Sequence, residues 1–229
     1  MTLQQDVIHE IHVFLNQNQH FFFNERDFQV HLAVWLKSRL KNVDVDVEYA
    51  VPQSVFSEME VPSSMDKGVY PWENELKIDI VVSRYDEYCP IELKYKTKRP
   101  SNQKQDIRFG EKLNSSSLIK NQGAQDLGRY GFWKDVYRIE LLKNRFDTTI
   151  KGGVCVFLTN DQSYKCERIK ESSNAFGFNM KENIKIKGEM RWSNQEPAYK
   201  HNYPEFYLRQ EYQIKWEQKD DYWYTIVCV

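Results

Sequence analysis

Two acids and a lysine on consecutive predicted strands are the residues best placed to do chemistry. Asp79 lies in the alternating apolar run 76–82, and Glu92 and Lys94 lie in the run 89–95. Residues two apart on a strand share a face, so Glu92 and Lys94 point the same way. If the strands pair with Asp79 beside Glu92, two carboxylates and one ammonium group crowd a single patch of sheet.

Such a crowded pair of carboxylates predicts a hard cation, because the two negative charges otherwise repel each other. Carboxylate oxygens are suitable ligands for Mg²⁺ or Mn²⁺. The cation polarises a phosphoryl oxygen and lowers the pKa of a bound water, and a nearby lysine orients that water and offsets charge on the phosphate. Hydrolysis of a phosphodiester needs these functions together.

The surrounding elements are predicted from apolar periodicity and turn signals. A short turn at 83–88 makes a hairpin of the two strands. Asn24 is a suitable N-cap for a helix whose apolar stripe runs to Leu40. The remaining predicted elements are a helix over 7–15, a strand over 43–51, a helix over 118–142, a buried strand over 153–158, and strands over 184–192, 205–216 and 222–229.

The order helix, three strands, helix, strand, with Asp79 followed by Glu92-Leu93-Lys94, resembles the PD-(D/E)xK nuclease superfamily over about residues 24–160. The resemblance implies an α/β fold with a restriction-endonuclease-like αβββαβ core and a mixed central sheet. It implies that Asp79 and Glu92 are catalytic metal ligands, that the Leu93 backbone carbonyl is a further metal contact, and that Lys94 is the catalytic lysine. Ile78 stands where the family motif has proline.

Other residues are assigned to the site by the same resemblance. Glu25 shares the inward stripe of the first core helix and matches a catalytic, metal-binding glutamate, with Asp27 as second choice; a role as a first-turn helix-dipole residue is the alternative. The resemblance also makes Gln122 and Gln125 on the second core helix substrate-binding candidates, and the charge of the basic stretch 96–112 adds Lys96, Lys98 and Arg99. That stretch is either a phosphate-tracking arm or a solvated loop.

Context supports the motif more than the tripeptide itself does. Glu-x-Lys occurs three times, beginning at Glu75, Glu92 and Glu217, and only the second follows an acid on a preceding apolar strand at hairpin distance. The alternative is that Asp79, Glu92 and Lys94 form a cross-strand ion pair on the solvent face of a ribbon.

Composition bounds the remaining expectations. The net charge of -1 excludes a globally basic nucleic-acid coat, and 14% aromatic residues favour a folded chain. The sequence lacks a membrane span, a signal peptide and zinc-finger spacing of its four cysteines, which predicts a cytoplasmic protein with buried free thiols. Residues 1–160 are expected to form the nuclease-like core with an N-terminal helix. Residues 161–229 should add a β-rich extension, packed as one domain, whose aromatic side chains form core, a base-stacking platform or a dimer surface.

The resulting hypothesis is a magnesium-dependent (or manganese-dependent) endonuclease, a hydrolase acting on ester bonds in defence or repair. DNA is the first-choice substrate and RNA is left open. A homodimer or a partner protein of a defence system is considered, and no membrane is involved. The alternative hypothesis is a non-catalytic nucleic-acid- or protein-binding module that retains the nuclease fold.

Overall fold

The computed structural model of the 229-residue chain describes residues 2–17, 22–52, 55, 75–99, 105–114, 118–166, 169–193 and 203–229. The predicted loop 53–74 lies outside these residues, apart from Val55. In chain order the elements are α1 Leu3–Gln17, α2 Glu25–Arg39, β1 Asp44–Pro52, β2 Glu75–Arg84, β3 Glu87–Lys96, β4 Gln105–Arg108, β5 Glu111–Asn114, α3 Gln125–Arg145, β6 Val154–Thr159, α4 Ser163–Cys166, β7 Lys185–Met190, β8 Phe206–Gln213, β9 Trp216–Lys219 and β10 Tyr222–Cys228.

A six-stranded sheet organises the molecule, with strand order β1-β2-β3-β6-β10-β9. The β3 and β6 strands run parallel, whereas the other neighbours are antiparallel, so the sheet is mixed as predicted. All six residues of β6 are buried, which is the expected property of an apolar central strand covered on both faces. The prediction of a mixed α/β fold is therefore confirmed.

Helices α1 and α2 cover one face of the sheet through their apolar stripes. The predicted cap of α2 is present, because the Asn24 side chain accepts a hydrogen bond from the Asp27 amide at 2.8 Å. Helix α3 packs against β3 and β6 through the other face. It begins at Gln125, seven residues later than the apolar pattern predicted, after Ala124 in a left-handed conformation.

The C-terminal residues join two sheets. Strand β8 pairs with β7 in a separate two-stranded sheet, whereas β9 and β10 complete the central one. The predicted strand 205–216 is thus divided between β8 and β9. Interpretation of the aromatic tail as core is confirmed for five of its members that are buried in one cluster: Trp192, Phe206, Tyr212, Trp216 and Trp223.

Two smaller expectations differ from the structure. Cys89 and Cys155 are buried free thiols as predicted, but Cys228, the last residue of β10, is exposed. The basic stretch after β3 contains a hairpin, β4–β5, where a loop without regular structure was expected. In the described part of the chain, no helix is long and apolar enough to cross a membrane.

Candidate active site

The candidate site lies where β2 separates from β3. The paired register of the two strands ends at Ile80 and Ile91, one position before Asp79 and Glu92 would meet. Asp79 Oδ2 instead accepts a hydrogen bond from the Leu93 amide at 2.7 Å. A side-chain carboxylate thus takes the place of a strand partner, and the other edge of β3 stays paired with β6.

Glu25 caps the next free position on the same edge. It is the first residue of α2, and its Oε2 accepts a hydrogen bond from the Tyr95 amide at 2.7 Å. Its other oxygen lies 3.8 Å from Lys94 Nζ. The structure therefore brings Glu25 to the site, whereas Asp27, the second choice, accepts from the Phe23 amide and does not join the site.

Glu92 and Lys94 point from β3 toward α3. Glu92 is only 2% exposed, and its Oε1 lies 3.1 Å from Arg138 Nη1. Lys94 Nζ lies 2.9 Å from Asp135 Oδ2, and the opposite oxygen of Asp135 lies 3.0 Å from Arg138. The three predicted residues are thus part of a buried network of charges and not of a solvent-facing ribbon.

Sequence reasoning missed Asp135 and Arg138. The two residues are three apart on α3, so they lie on the same side of the helix and both face β3. The available signal was their charge within a stretch of α3 that is almost entirely buried. A charged residue among buried helical positions needs a partner, and these two find theirs in Lys94 and Glu92.

Buried acids in this network titrate unusually. Burial raises the pKa of Asp79 to about 6, although the hydrogen bond from Leu93 opposes that rise. Burial also raises the pKa of Glu92 well above its usual value, against the nearby Arg138 guanidinium. For Asp135, burial alone would raise the pKa, but Lys94 and Arg138 outweigh it and lower the pKa below the usual range. Asp79 and Glu92 are therefore the undercompensated acids.

The donor atoms present suit a magnesium-type ion. Leu93 donates its amide to Asp79, and its carbonyl points to the same open edge of β3, within 3.5 Å of Lys94 Nζ. Across the described ranges, no three His, Cys, Asp or Glu side chains are grouped as a ready metal site. Magnesium commonly takes only one or two carboxylates and completes its shell with water and phosphate oxygens. Asp79, Glu92 and the Leu93 carbonyl form a set of that kind.

Two glycines on α3 allow neighbouring side chains to approach the helix closely. A Cβ added to Gly131 would lie 3.2 Å from Lys94 Cε, and one added to Gly128 would lie 2.5 Å from the Tyr164 hydroxyl oxygen. Gly131 therefore makes room for Lys94 at the site, whereas Gly128 makes room for Tyr164.

Gln29 links the site to β1. Its buried side chain donates hydrogen bonds to the Asp79 carbonyl and to Glu48 Oε1. Glu48 lies between the pairs Val47–Ile80 and Tyr49–Ile78, opposite Asp79, and its φ of 52° interrupts the regular pairing of β1 with β2 at this position. The hydrogen bond from Gln29 thereby fixes the backbone of Asp79, where β2 is no longer paired with β3.

Predicted substrate residues on α3 and beside it have other partners. Gln125 donates its side-chain amide to Asp161 Oδ2 and to Ser163 Oγ, both at 2.7 Å. Gln122 donates its backbone amide to the Thr97 carbonyl, and its buried Oε1 accepts no hydrogen bond from the described residues. Neither glutamine contacts the acids of the site.

The predicted basic residues lie at the C-terminal end of β3 and just after it. Lys96 is half-buried beside Gly128, and Lys98 forms an ion pair with Asp161 at 2.7 Å. Arg99 is exposed, with its backbone amide bonded to the Asn121 side chain. These residues flank the site without entering it.

Comparison with models of known protein families, with curated proteins and with solved structures finds no match.

Proposed function

We propose that this protein is a metal-dependent nuclease with a restriction-endonuclease-like core of the PD-(D/E)xK type. The observation that supports it best is the opening between β2 and β3, at which Glu25, Asp79, Glu92 and Lys94 come together. The same opening leaves the Leu93 carbonyl outside the paired register of β2 and β3, beside the two undercompensated acids.

Each residue has a distinct role in this proposal. Asp79, Glu92 and the Leu93 carbonyl would hold Mg²⁺ or Mn²⁺, with Glu25 beside them. When bound, the ion supplies Lewis-acid polarisation of the phosphoryl group and a water of lowered pKa.

Lys94 acts as a fixed cation at the site. Although burial would lower the pKa of Lys94, Asp135 and Glu25 outweigh it and raise that pKa. Lys94 therefore stays charged, and Asp135 holds its Nζ at 2.9 Å. A lysine so held can orient a water and offset charge on a phosphate, but it does not accept the water's proton.

DNA is the proposed first substrate, with RNA as the competing polymer. Defence or repair in the cytoplasm is the proposed setting, and a second copy of the chain or another defence protein is the proposed partner. Cutting both strands of a duplex would favour the homodimer.

A second candidate is a non-catalytic binding module that keeps the nuclease fold. It is favoured by the ion pairs that Glu92 and Asp135 already form with Arg138 and Lys94. In that case, the charged network stabilises the fold and needs no metal ion.

A cleavage assay separates the two candidates. Plasmid, single-stranded DNA and RNA would be incubated with the full chain in Mg²⁺ or Mn²⁺ and in EDTA. Lys94→Met should abolish cutting because the cation is lost. Methionine is chosen because it keeps an apolar side chain of similar length. Lys185→Met is the matched control, since Lys185 is exposed and pairs only on the surface with Glu211.

Cutting that disappears in EDTA and in Lys94→Met, but not in Lys185→Met, supports the nuclease. Cutting that survives Lys94→Met refutes the role of that lysine. Absence of cutting, together with no Mn²⁺-induced rise in melting temperature, favours the binding module.

A further inference from the structure

The β4–β5 hairpin, residues 105–114, forms a small sheet of its own and is called the arm here. Arg108 pairs with Glu111, so the turn consists of Phe109 and Gly110, with φ of 51° and 85°. Two-residue hairpin turns with two positive φ angles favour asparagine and glycine. A phenylalanine at the first position is therefore an unfavourable choice for folding alone.

The base of the arm is fastened directly beyond β3. Thr97 Oγ1 donates to the Lys120 carbonyl at 2.9 Å, and the Gln122 amide donates to the Thr97 carbonyl at 2.8 Å. On the exposed side, the Arg99 amide donates to Asn121 Oδ1. The chain segments before and after the arm, residues 97–99 and 120–122, are thus held together next to β3, the strand that carries Glu92 and Lys94.

The tip of the arm contacts the segment that leads into α2. The Arg108 guanidinium sits 3.7 Å from the centre of the Phe23 ring, a cation–π contact. Phe23 precedes the site acid Glu25 by two residues. Phe109, which follows Arg108, is consequently held near the chain segment that leads into Glu25.

Phe109 is fully exposed, with a relative accessibility of 108%. Two-stranded ribbons have too little core to bury such a ring, and its exposure to water is unfavourable. Tyr85 is similar, being 83% exposed with φ of 55°, but it lies in the β2–β3 turn, at the far end of these strands from Asp79. The contact of the neighbouring Arg108 with Phe23, two residues before Glu25, thus distinguishes Phe109 from Tyr85.

We propose that Phe109 stacks on an unpaired base of the nucleic-acid strand that enters the site. This inference rests on the proposed nuclease function, and it specifies the substrate as single-stranded or locally opened. A lone exposed ring needs the open π-face of a base, and in a duplex both faces are covered by neighbouring bases. The exposed Lys112 on the arm and the exposed Arg99 at its base supply positive charge for the adjoining phosphates.

Binding by fluorescence anisotropy tests the proposal without requiring cleavage. The full chain would be titrated, with Ca²⁺ and in EDTA, against a labelled single-stranded oligonucleotide and a blunt duplex. Phe109→Ala should weaken single-strand binding about 5- to 150-fold, the range expected for one lost stacking contact. Phe109→Trp should retain binding, and Tyr85→Ala, the matched control, should bind like wild type.

An oligonucleotide without bases identifies stacking as the cause. Wild type should bind it as weakly as Phe109→Ala binds the ordinary oligonucleotide, and Phe109→Ala should lose little more. Unchanged affinity of Phe109→Ala, an equal loss on the duplex, or undiminished binding of the abasic strand would overturn the proposal. Unaltered melting temperature of the variant shows that the fold is intact.

The proposal of base stacking by Phe109 and the proposal of nuclease activity can be refuted separately. Stacking behaviour without Lys94-dependent cleavage would refute the nuclease and keep the arm as a base-binding device. Lys94-dependent cleavage with no effect of Phe109→Ala would refute the arm and keep the nuclease. No binding of either polymer under either condition would refute both.

Discussion

The Asp79 carboxylate has two opposing effects on stability: it accepts a backbone hydrogen bond, but its negative charge is buried. It accepts the Leu93 amide that β2 no longer reaches, yet burial raises its pKa to about 6. Because the unfolded residue ionises near its usual pKa of 3.8, the folded state binds this proton more tightly. Stability contributed by the group is therefore present at low pH and lost as pH rises from about 4 to about 6.

Replacement of Asp79 with asparagine should stabilise the metal-free protein at pH 8. Asparagine keeps an oxygen that can accept the Leu93 amide, but it removes the buried charge. We expect a gain of about 1–3 kcal/mol in the free energy of unfolding at pH 8, shrinking toward zero at pH 4. Urea denaturation in EDTA measures it, with the exposed Asp86→Asn as control. Wild type that is equally stable at pH 8 would contradict the prediction.

At the scale of residues, local pattern could predict only part of the site. Asp79, Glu92 and Lys94 were identifiable because alternation on a hairpin fixes which side chains share a face. Glu25 was identifiable from its place on the apolar stripe of α2. Asp135 was not, since its partner Lys94 is 41 residues away and only packing of α3 on β3 brings them together.

Helix α3 is the element that sets the charge of the site. It presents Asp135 to Lys94 and Arg138 to Glu92, and Gly131 leaves room for Lys94 of β3. The proposed metal ion and Arg138 thus compensate the same acid, Glu92. This competition links helix packing to metal binding.

Replacement of Arg138 with methionine should separate these effects. Glu92 and Asp135 would lose a partner, so we expect a loss of about 3–5 kcal/mol in the free energy of unfolding in EDTA. Mn²⁺ should stabilise the variant more than wild type, because it supplies the missing positive charge. Urea denaturation with and without Mn²⁺ measures both quantities.

The exposed Arg191→Met is the control for Arg138→Met, with an expected change within about 0.5 kcal/mol. An Arg138→Met protein as stable as wild type would mean that the buried pairs contribute no net stability. An equal Mn²⁺ effect on both proteins would place the ion away from Glu92.

Element types were more predictable than their boundaries. Apolar periodicity located α1, α2, β3 and β6, because each buries one stripe or both faces. The β4–β5 arm was not predictable, since its strands are mostly exposed and lack apolar alternation. The late start of α3 was missed because Leu118 fits the apolar pattern although the helix begins only at Gln125.

The whole molecule depends on strands that are distant in sequence. Strand β10 pairs with β6 over six positions in the middle of the central sheet. Val229 and Gly153 exchange backbone hydrogen bonds, and the Gln4 side chain donates to both of their carbonyls. The N-terminal helix, the central strand and the last residue are therefore joined at one point.

Residues 1–160 alone should consequently fail to fold. Without β10, the fully buried β6 becomes an edge strand with unpaired backbone groups, and Phe157 loses its contacts with Trp216 and Tyr164. Circular dichroism and urea denaturation of this fragment should show no cooperative transition. A full-length variant with 105–114 replaced by a short Gly/Ser linker is the control, and it should unfold cooperatively because the arm forms a separate sheet. Cooperative unfolding of the fragment would instead show that 161–229 is dispensable for the core.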